Sequence, residues 1–294
     1  MQEQLNYHSI TLEDKERVQK YLDFWHIKAA GLQFATLFLW GSGGRIRIAE
    51  KKDALFILVA REKGDMMVGP LTLDPANYAC AVQIAEADCR ARGQAPLFCV
   101  IPEQTAPCFR QLGFCLEEER GNEEYLYAAS DLIHLPGKAY HGKRNHINAF
   151  LMNESYCYTE IAPSMQEECL RVYDAWMDGK EGEAGLGAER RAVQLALSNM
   201  RELELVGGGI LVKDRLEAFS IGSMAGDDTA VIHFEKALDK RGLFPLINRD
   251  FIAHAFADVK YVNREEDMGD PGLRKAKMSY KPLRLEKIYC ACRK

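Results

Sequence analysis

Two short stretches concentrate the residues best suited to acid–base and ligand-clamping chemistry. The first is the apolar run at 229–235, TAVIHFE, which carries His233 and Glu235. On a strand, residues two apart share one face, and either of these can serve as a general base. Glu235 is the stronger candidate, because it stands at the strand end, where a cleft would open. Against this stands a simple surface pairing of Glu235 with Lys236, Lys240 or Arg241, and the residues weigh the two readings equally. The second stretch is 263–282, NREEDMGDPGLRKAKMSYKP. Arg264, Glu265, Glu266 and Asp267 stand together. Gly269, Asp270, Pro271 and Gly272 then force a turn. Arg274, Lys275, Lys277 and Lys281 follow. An acidic knot, a rigid turn and a basic segment make a pocket in which both signs of charge are held close. The competing reading is a solvated hairpin with surface ion pairs, each worth little, and composition alone favours it slightly.

The elements that must position these residues follow from periodicity. In the first half, helices are predicted over 10–24 and 77–92, and strands over 45–50, 54–60 and 66–71. Turns at 51–53 and 63–65 join those strands. A strand at 96–101, a short helix at 103–112, and strands at 114–119 and 125–128 complete this half. The glycines after FATLFLW (34–40) are read as a turn, since they lack the lysine of a phosphate-binding loop. In the second half, strands are predicted at 156–161, 210–213, 216–225, 229–235, 259–262 and 287–292. Helices are predicted at 164–177, with Ser164 as cap, at 189–203 and at 242–256. Residues 179–187 read as a glycine-rich break, and Gly207 to Gly209 as the end of a connection. Between the halves, 131–150 breaks at Pro136–Gly137 and begins a helix with Lys138, His141, Lys143, Arg144 and His146, read either as a solvated linker or as an anion-binding strip.

Composition narrows the classes. The 294 residues suffice for one large or two ordinary domains, and 47% hydrophobic with 28% charged residues is a soluble globular balance. A net charge of −5 argues against a generally nucleic-acid-binding surface, so such contact needs a local basic patch. No targeting segment or run long enough to span a bilayer is read, so a cytoplasmic location without integral membrane association is expected. The odd count of nine dispersed cysteines fits reduced thiols. Cys290 and Cys292 read as same-face residues of a final strand. No metal-ligand set and no Ser-His-Asp or Cys-His signature stands out.

Three stretches together resemble a known family: FATLFLW, LPGKAYHGKRNHINAF and NREEDMGDPGLRKAKMSYKP. They are similar to a bacterial family related to the C-terminal domain of phosphatidylglycerol lysyltransferase. The helix–Gly-Phe–hairpin pattern of CFRQLGFCLEEERGNEEYLY also resembles the closing part of the GNAT acyltransferase fold. The resemblance implies an α+β chain of two tandem GNAT-like lobes, 1–135 and 136–294, each a mixed, mostly antiparallel sheet flanked by helices. It implies an acyl- or aminoacyltransferase with its cleft in the second lobe and no required cofactor. Aminoacyl-tRNA or an acyl-CoA would be the donor, to an amine or hydroxyl acceptor. The segment IHFEKALDKRGLF lacks the R/Q-x-x-G-x-G/A loop of acetyl-CoA enzymes.

In a GNAT-like second lobe, Arg264, Glu265 and Asp267 project into the cleft with Glu235. Glu235, Asp267 and Lys277 are then the catalytic candidates, with Lys277 offsetting oxyanion charge. His233, Asn263, Arg264, Glu265, Arg274 and Tyr280 are candidates for holding substrate. Arg264 would clamp a carboxylate or phosphate, an acid would hold an amine, and Tyr280 would donate its hydroxyl. Lys143, Arg144 and Lys275 form the anion-binding set. With the basic C-terminal segment they could receive a tRNA acceptor end. The alternative is a non-catalytic module holding an anionic or zwitterionic metabolite.

Overall fold

The computed structural model describes residues 5–62, 64–178 and 185–293. Lys63 of the expected turn, 179–184 of the glycine-rich break, and Lys294 lie outside the described residues. The chain forms two compact units: Met1–Glu124 with Glu266–Gly269 and Glu286–Lys294, and Tyr125–Glu265 with Asp270–Leu285. The expected division at 135–136 is therefore displaced, and each unit is assembled from separate pieces of chain.

The strands are β1 (His8–Ser9), β2 (Ile46–Lys51), β3 (Ala54–Val59), β4 (Met66–Thr72), β5 (Phe98–Pro102), β6 (Cys115–Glu118) and β7 (Glu124–Ala128). They continue as β8 (Tyr156–Glu160), β9 (Val206–Val212), β10 (Arg215–Ala225), β11 (Thr229–Ala237), β12 (Tyr261–Asn263), β13 (Arg284–Glu286) and β14 (Ile288–Cys292). One sheet has the order β1-β2-β3-β4-β5-β14-β6, the other β13-β7-β12-β11-β10-β9-β8. In each, the strand that ends the other half of the sequence fills the sixth place from the β1 or β8 edge. This reciprocal placement of β7 and β14 is why the boundary falls before β7. Among the described pairings each sheet is mostly antiparallel and includes a parallel pair, β4 with β5 and β11 with β12, so both are the mixed sheets expected.

The first unit packs Phe98, Phe109, Phe114 and Tyr78 into one core. Within it Cys99 of β5 and Cys290 of β14 form a disulfide, which corrects the expectation of reduced thiols throughout. The other seven cysteines are free. In the second unit the helix Leu243–Ala255 covers β9, β10 and β11, and its Leu246, Ile247, Phe251 and Ile252 are buried. FATLFLW forms the helix Phe34–Trp40.

Several local expectations change. Ser164 is exposed and does not cap: a short 3-10 turn, Pro163–Met165, precedes the helix Gln166–Met177. Pro271 and Gly272 do not make a hairpin but open a helix, Pro271–Met278, capped by the Asp270 carboxylate accepting from Leu273 N. Proline suits a first helical turn, where its missing N–H is not needed.

Gly207, Gly208 and Gly209 lie inside β9 rather than in a connection. A Cβ on Gly208 would fall 2.7 Å from the Phe251 ring. Gly208→Val is therefore expected to destabilise the fold by roughly 1–3 kcal/mol through overpacking. A urea titration reads this as a lower midpoint, and an unchanged midpoint would contradict the packing described.

Candidate active site

The second unit brings opposite charges into a nearly dry cluster. Arg264 follows directly after β12, and its Nη2 donates to Glu235 Oε1 of β11 at 2.9 Å. The two side chains keep only 13% and 10% exposure, so this is a buried pair. The second oxygen of Glu235 accepts from Asn248 Nδ2 at 2.9 Å, from the helix Leu243–Ala255. The guanidinium lies 4.9 Å from the centre of the Tyr280 ring and 5.9 Å from that of Tyr127. Burial works against the Arg264 charge, but Glu235 together with Tyr127 and Tyr280 outweighs it and keeps the group protonated. Burial also raises the Tyr280 phenol, so it remains a donor. Arg264 Nη1 is buried and makes no hydrogen bond of good geometry, although the guanidinium and the Tyr280 hydroxyl interact.

Lys143 approaches from the helix His141–Leu151, its Nζ 3.7 Å from the centre of the Tyr280 ring. Burial, helped by the nearby Arg264 charge and opposed by Glu235, pulls its pKa down to about 8. Lys277, on the helix Pro271–Met278, donates from Nζ to the Arg264 carbonyl at 2.6 Å and is buried. It therefore fixes the backbone that carries the guanidinium.

A second polar chain runs beside the first. Ser223 Oγ of β10 lies 2.8 Å from His233 Nε2, and His233 Nδ1 lies 3.2 Å from Glu265 Oε1. A bulge places His233 opposite no residue of β10: Ile221 pairs with Phe234, and Gly222 with Ile232. That extra residue breaks the two-residue alternation, so His233 and Glu235 meet different partners despite their spacing. Glu235 is also not the strand end, since β11 continues to Ala237.

The sequence of this chain matches the family described as phosphatidylglycerol lysyltransferase, C-terminal, over residues 25–292. It belongs to that family. No curated protein matches it by sequence. A conserved protein of unknown function from Bacteroides thetaiotaomicron is similar at 29% identity and TM-score 0.89, covering 99% of this chain and 100% of that one. L-PGS from Bacillus licheniformis is similar at 16% identity and TM-score 0.68, over 95% and 92% of the two chains. A tandem GNAT protein from the clavulanic acid biosynthesis pathway shares 10% identity, TM-score 0.51, over 98% of each. The last two similarities carry the fold, which is thus a tandem GNAT-like one of the phosphatidylglycerol lysyltransferase C-terminal family. Family and fold are those of acyl and aminoacyl transferases.

Of the residues that the sequence singled out for this family member, Lys143, His233, Glu235, Asn263, Arg264, Glu265, Lys277 and Tyr280 all belong to the two polar groups or hold them in place. Asn263 does so by accepting from Glu265 N at 2.8 Å through its Oδ1. Asp267 is not among them. It belongs to the first unit, has no exposed side-chain surface, and accepts from Arg120 at 3.2 Å and from Gly269 N at 2.9 Å. Those bonds describe a structural carboxylate, not a substrate contact. Arg144 is engaged with the carbonyls of Leu135 and Gly137. Lys275 is exposed and Arg274 half-buried on the helix Pro271–Met278.

Of the basic C-terminal residues, Lys287 pairs with Glu118 at 2.6 Å and Arg293 with Glu86 at 2.5 Å. Ser223 and Asn248 carried no signal in the sequence, because neither sits in a motif. Two shallow surface hollows lie elsewhere, at Asp174–Asp178 and around Lys51, Asn77 and Ile84. Neither includes a candidate residue, and their lining offers no comparable convergence of buried charge. Among the described residues no group of three or more His, Cys, Asp or Glu suits a metal ion, and no helix is long and apolar enough to cross a membrane.

The lowered pKa of Lys143 has a consequence for stability. The folded side chain loses its proton near pH 8, and an unfolded lysine near 10.5. Between these values the unfolded chain binds more protons, so this group makes stability rise with pH. Lys143→Met should remove that rise. Relative to the wild type, the variant's urea midpoint should be most favourable below pH 8 and lose ground toward pH 10.5. A difference independent of pH would contradict this.

Proposed function

We propose that this protein transfers an aminoacyl group from an activated donor to an amine or hydroxyl acceptor, with Arg264 as the cation that meets the donor's negative charge. The observation that carries this reading is Arg264 Nη1, a buried donor without a hydrogen bond of good geometry in a charged, aromatic-walled cluster of a transferase family. Leaving a buried N–H unmatched costs about 1–3 kcal/mol. A ligand oxygen that accepts from this N–H recovers the cost, and an oxyanion does so best when its charge develops.

In this reading Glu235 is a positioning residue. Both its oxygens are occupied, one by Arg264 and one by Asn248, which suits holding a guanidinium better than taking a proton. Lys143 adds a second positive charge beside the Tyr280 ring. Tyr280 walls the cluster, and Lys277 holds the Arg264 carbonyl.

An aminoacyl-tRNA is favoured over a CoA thioester as donor. The connection after β11 carries Lys240 and Arg241 in place of a glycine-rich phosphate loop. Lys240 is already bound to Glu217 at 2.5 Å, and Arg241 lies against His146. A tRNA acceptor end is thus the proposed carrier, and no further cofactor is invoked.

The test is to incubate the protein with tRNAs charged with labelled amino acids, and with acyl-CoAs, against a panel of amines and hydroxyl compounds. Transfer from at least one aminoacyl-tRNA is expected, and Arg264→Gln should slow it on the order of 100-fold. Transfer indifferent to Arg264 would remove the assignment. Loss of label from no donor would remove the transferase reading and leave a metabolite-binding module.

A further inference from the structure

We propose that β14 is a redox-sensitive clamp in the first unit. Each of its two cysteines has a cysteine partner on a neighbouring strand, Cys290 with Cys99 of β5 and Cys292 with Cys115 of β6. The first pair is a disulfide that a dithiol opens, and the second is a pair of thiols that a small-molecule disulfide closes. The proposal stands apart from the transferase reading.

The strand register supplies the second pair. β14 runs antiparallel to β6, with Cys290 opposite Glu117, Ala291 opposite Leu116 and Cys292 opposite Cys115. Directly opposed residues of such a pair put their side chains on one face of the sheet, with Cα atoms about 4.5 or 5.5 Å apart. Both separations lie inside the roughly 4.4–6.8 Å that a disulfide spans. Cys290 and Cys292 are two apart on β14 and share a face. Tyr289 and Ala291 take the other face and pack into the aromatic core. Cys115 and Cys292 are free and only partly buried, so a dissolved reagent reaches them. The remaining thiols lack this arrangement: Cys157 stands opposite Leu211, and Cys89 and Cys169 are buried.

On its other side β14 meets an irregular strand. Tyr289 pairs with Ile101 and Ala291 with Phe98. Cys99 and Val100 therefore stand against the single residue Cys290, which is a β-bulge. Val100 has φ of 53°, in a region that a β-branched residue rarely enters. Such a conformation persists where the surrounding structure enforces it, and it collects at functional and switching sites. The disulfide ties this bulge to β14. Cys290 is half-buried and Cys99 is 6% exposed, so an incoming thiol meets the Cys290 sulfur first.

The two bonds would act on different parts of the sheet. β6 ends the strand order next to β14, so a Cys115–Cys292 bond fastens the sheet edge. The Cys99–Cys290 bond fastens β14 to β5 and joins residues 191 apart in sequence. Cross-links that close long loops restrict the unfolded chain most.

Both steps are thiol–disulfide exchange. In reduction, one thiolate of the dithiol attacks Cys290 Sγ, the bond to Cys99 breaks, and the Cys99 thiolate takes a proton. The second thiol of the reagent then attacks the mixed disulfide and releases Cys290, leaving the reagent as a cyclic disulfide. In oxidation, the Cys292 thiolate attacks the small disulfide and expels one thiol. Cys115 attacks the resulting mixed disulfide, expels the second thiol and closes the bond.

The test treats the native protein with dithiothreitol, with glutathione disulfide or with neither, then alkylates it and maps its peptides by mass spectrometry. Dithiothreitol should expose the Cys99 and Cys290 thiols and lower the melting temperature by roughly 5 °C or more. Glutathione disulfide should yield a Cys115–Cys292 linked peptide and raise the melting temperature. Cys115→Ser should lose only the response to glutathione disulfide, and Cys290→Ser only the response to dithiothreitol. Glutathione adducts on Cys115 and Cys292 without a peptide linking them would overturn the clamp. So would a Cys99–Cys290 bond that opens only after denaturation, or a melting temperature indifferent to both reagents. The peptide map of the unaltered protein decides these points whether or not the serine variants fold.

Discussion

The second unit is built around a positive charge kept out of water. A guanidinium so placed costs several kcal/mol unless the protein replaces the hydration it has lost. Glu235 supplies the countercharge, Asn248 holds Glu235, and the faces of Tyr280 and Tyr127 line the remaining sides. These groups come from β11, from the helix over the sheet, from the segment after Pro271 and from β7. The placement of β7 next to β12 is therefore a requirement of the charge cluster as well as a detail of topology. Had β7 stayed in the sheet of its own half, Arg264 would lose Tyr127 and the backbone bonds that Tyr125 makes on either side of it.

The same turn explains why two chemically distinct groups lie side by side. β12 is only three residues long and ends at Asn263. The left-handed Glu265 that follows sends consecutive side chains to different partners, Glu235 for Arg264 and His233 for Glu265. β11 meets them with residues two apart, and the bulge at His233 offsets their alternation. Irregularity on both strands, rather than regular pleating, makes the pairing possible.

Much of this was legible in the sequence. Apolar periodicity located most of the longer strands and helices, though not the short helices Phe34–Trp40, Ala129–His134 and Pro271–Met278 or the strands β1 and β13, and the local clustering of opposite charges after 263 marked the stretch that matters. What was not legible had physical causes. The Pro271–Gly272 pair reads as a turn, yet an aspartate in front of a proline caps a helix equally well, and only the Asp270–Leu273 bond decides between them. Asp267 looked like Glu265 in composition, but the chain returns to the first unit at 266, and its neighbour there is Arg120. Ser223 was invisible because a hydrogen-bonded chain assembled from two strands and the turn after a third leaves no local motif, and a one-residue bulge cannot be read from spacing. The Cys99–Cys290 bond was hidden for the same reason, since it depends on β14 entering the sheet beside β5.

Family membership and fold supply the scaffold of an acyl or aminoacyl transferase, and the side chains of this chain determine what that scaffold can do. The account rests on Glu235 and Arg264 interacting strongly in a place that water hardly reaches. A double-mutant cycle on stability with Glu235→Gln and Arg264→Gln measures this directly. The account expects the two substitutions to be strongly non-additive, with a coupling of about 2 kcal/mol or more, in the range found for contacting groups of one network. Additivity within about 0.5 kcal/mol would mean that the two charges are solvated independently, and it would contradict the dry, convergent site described here.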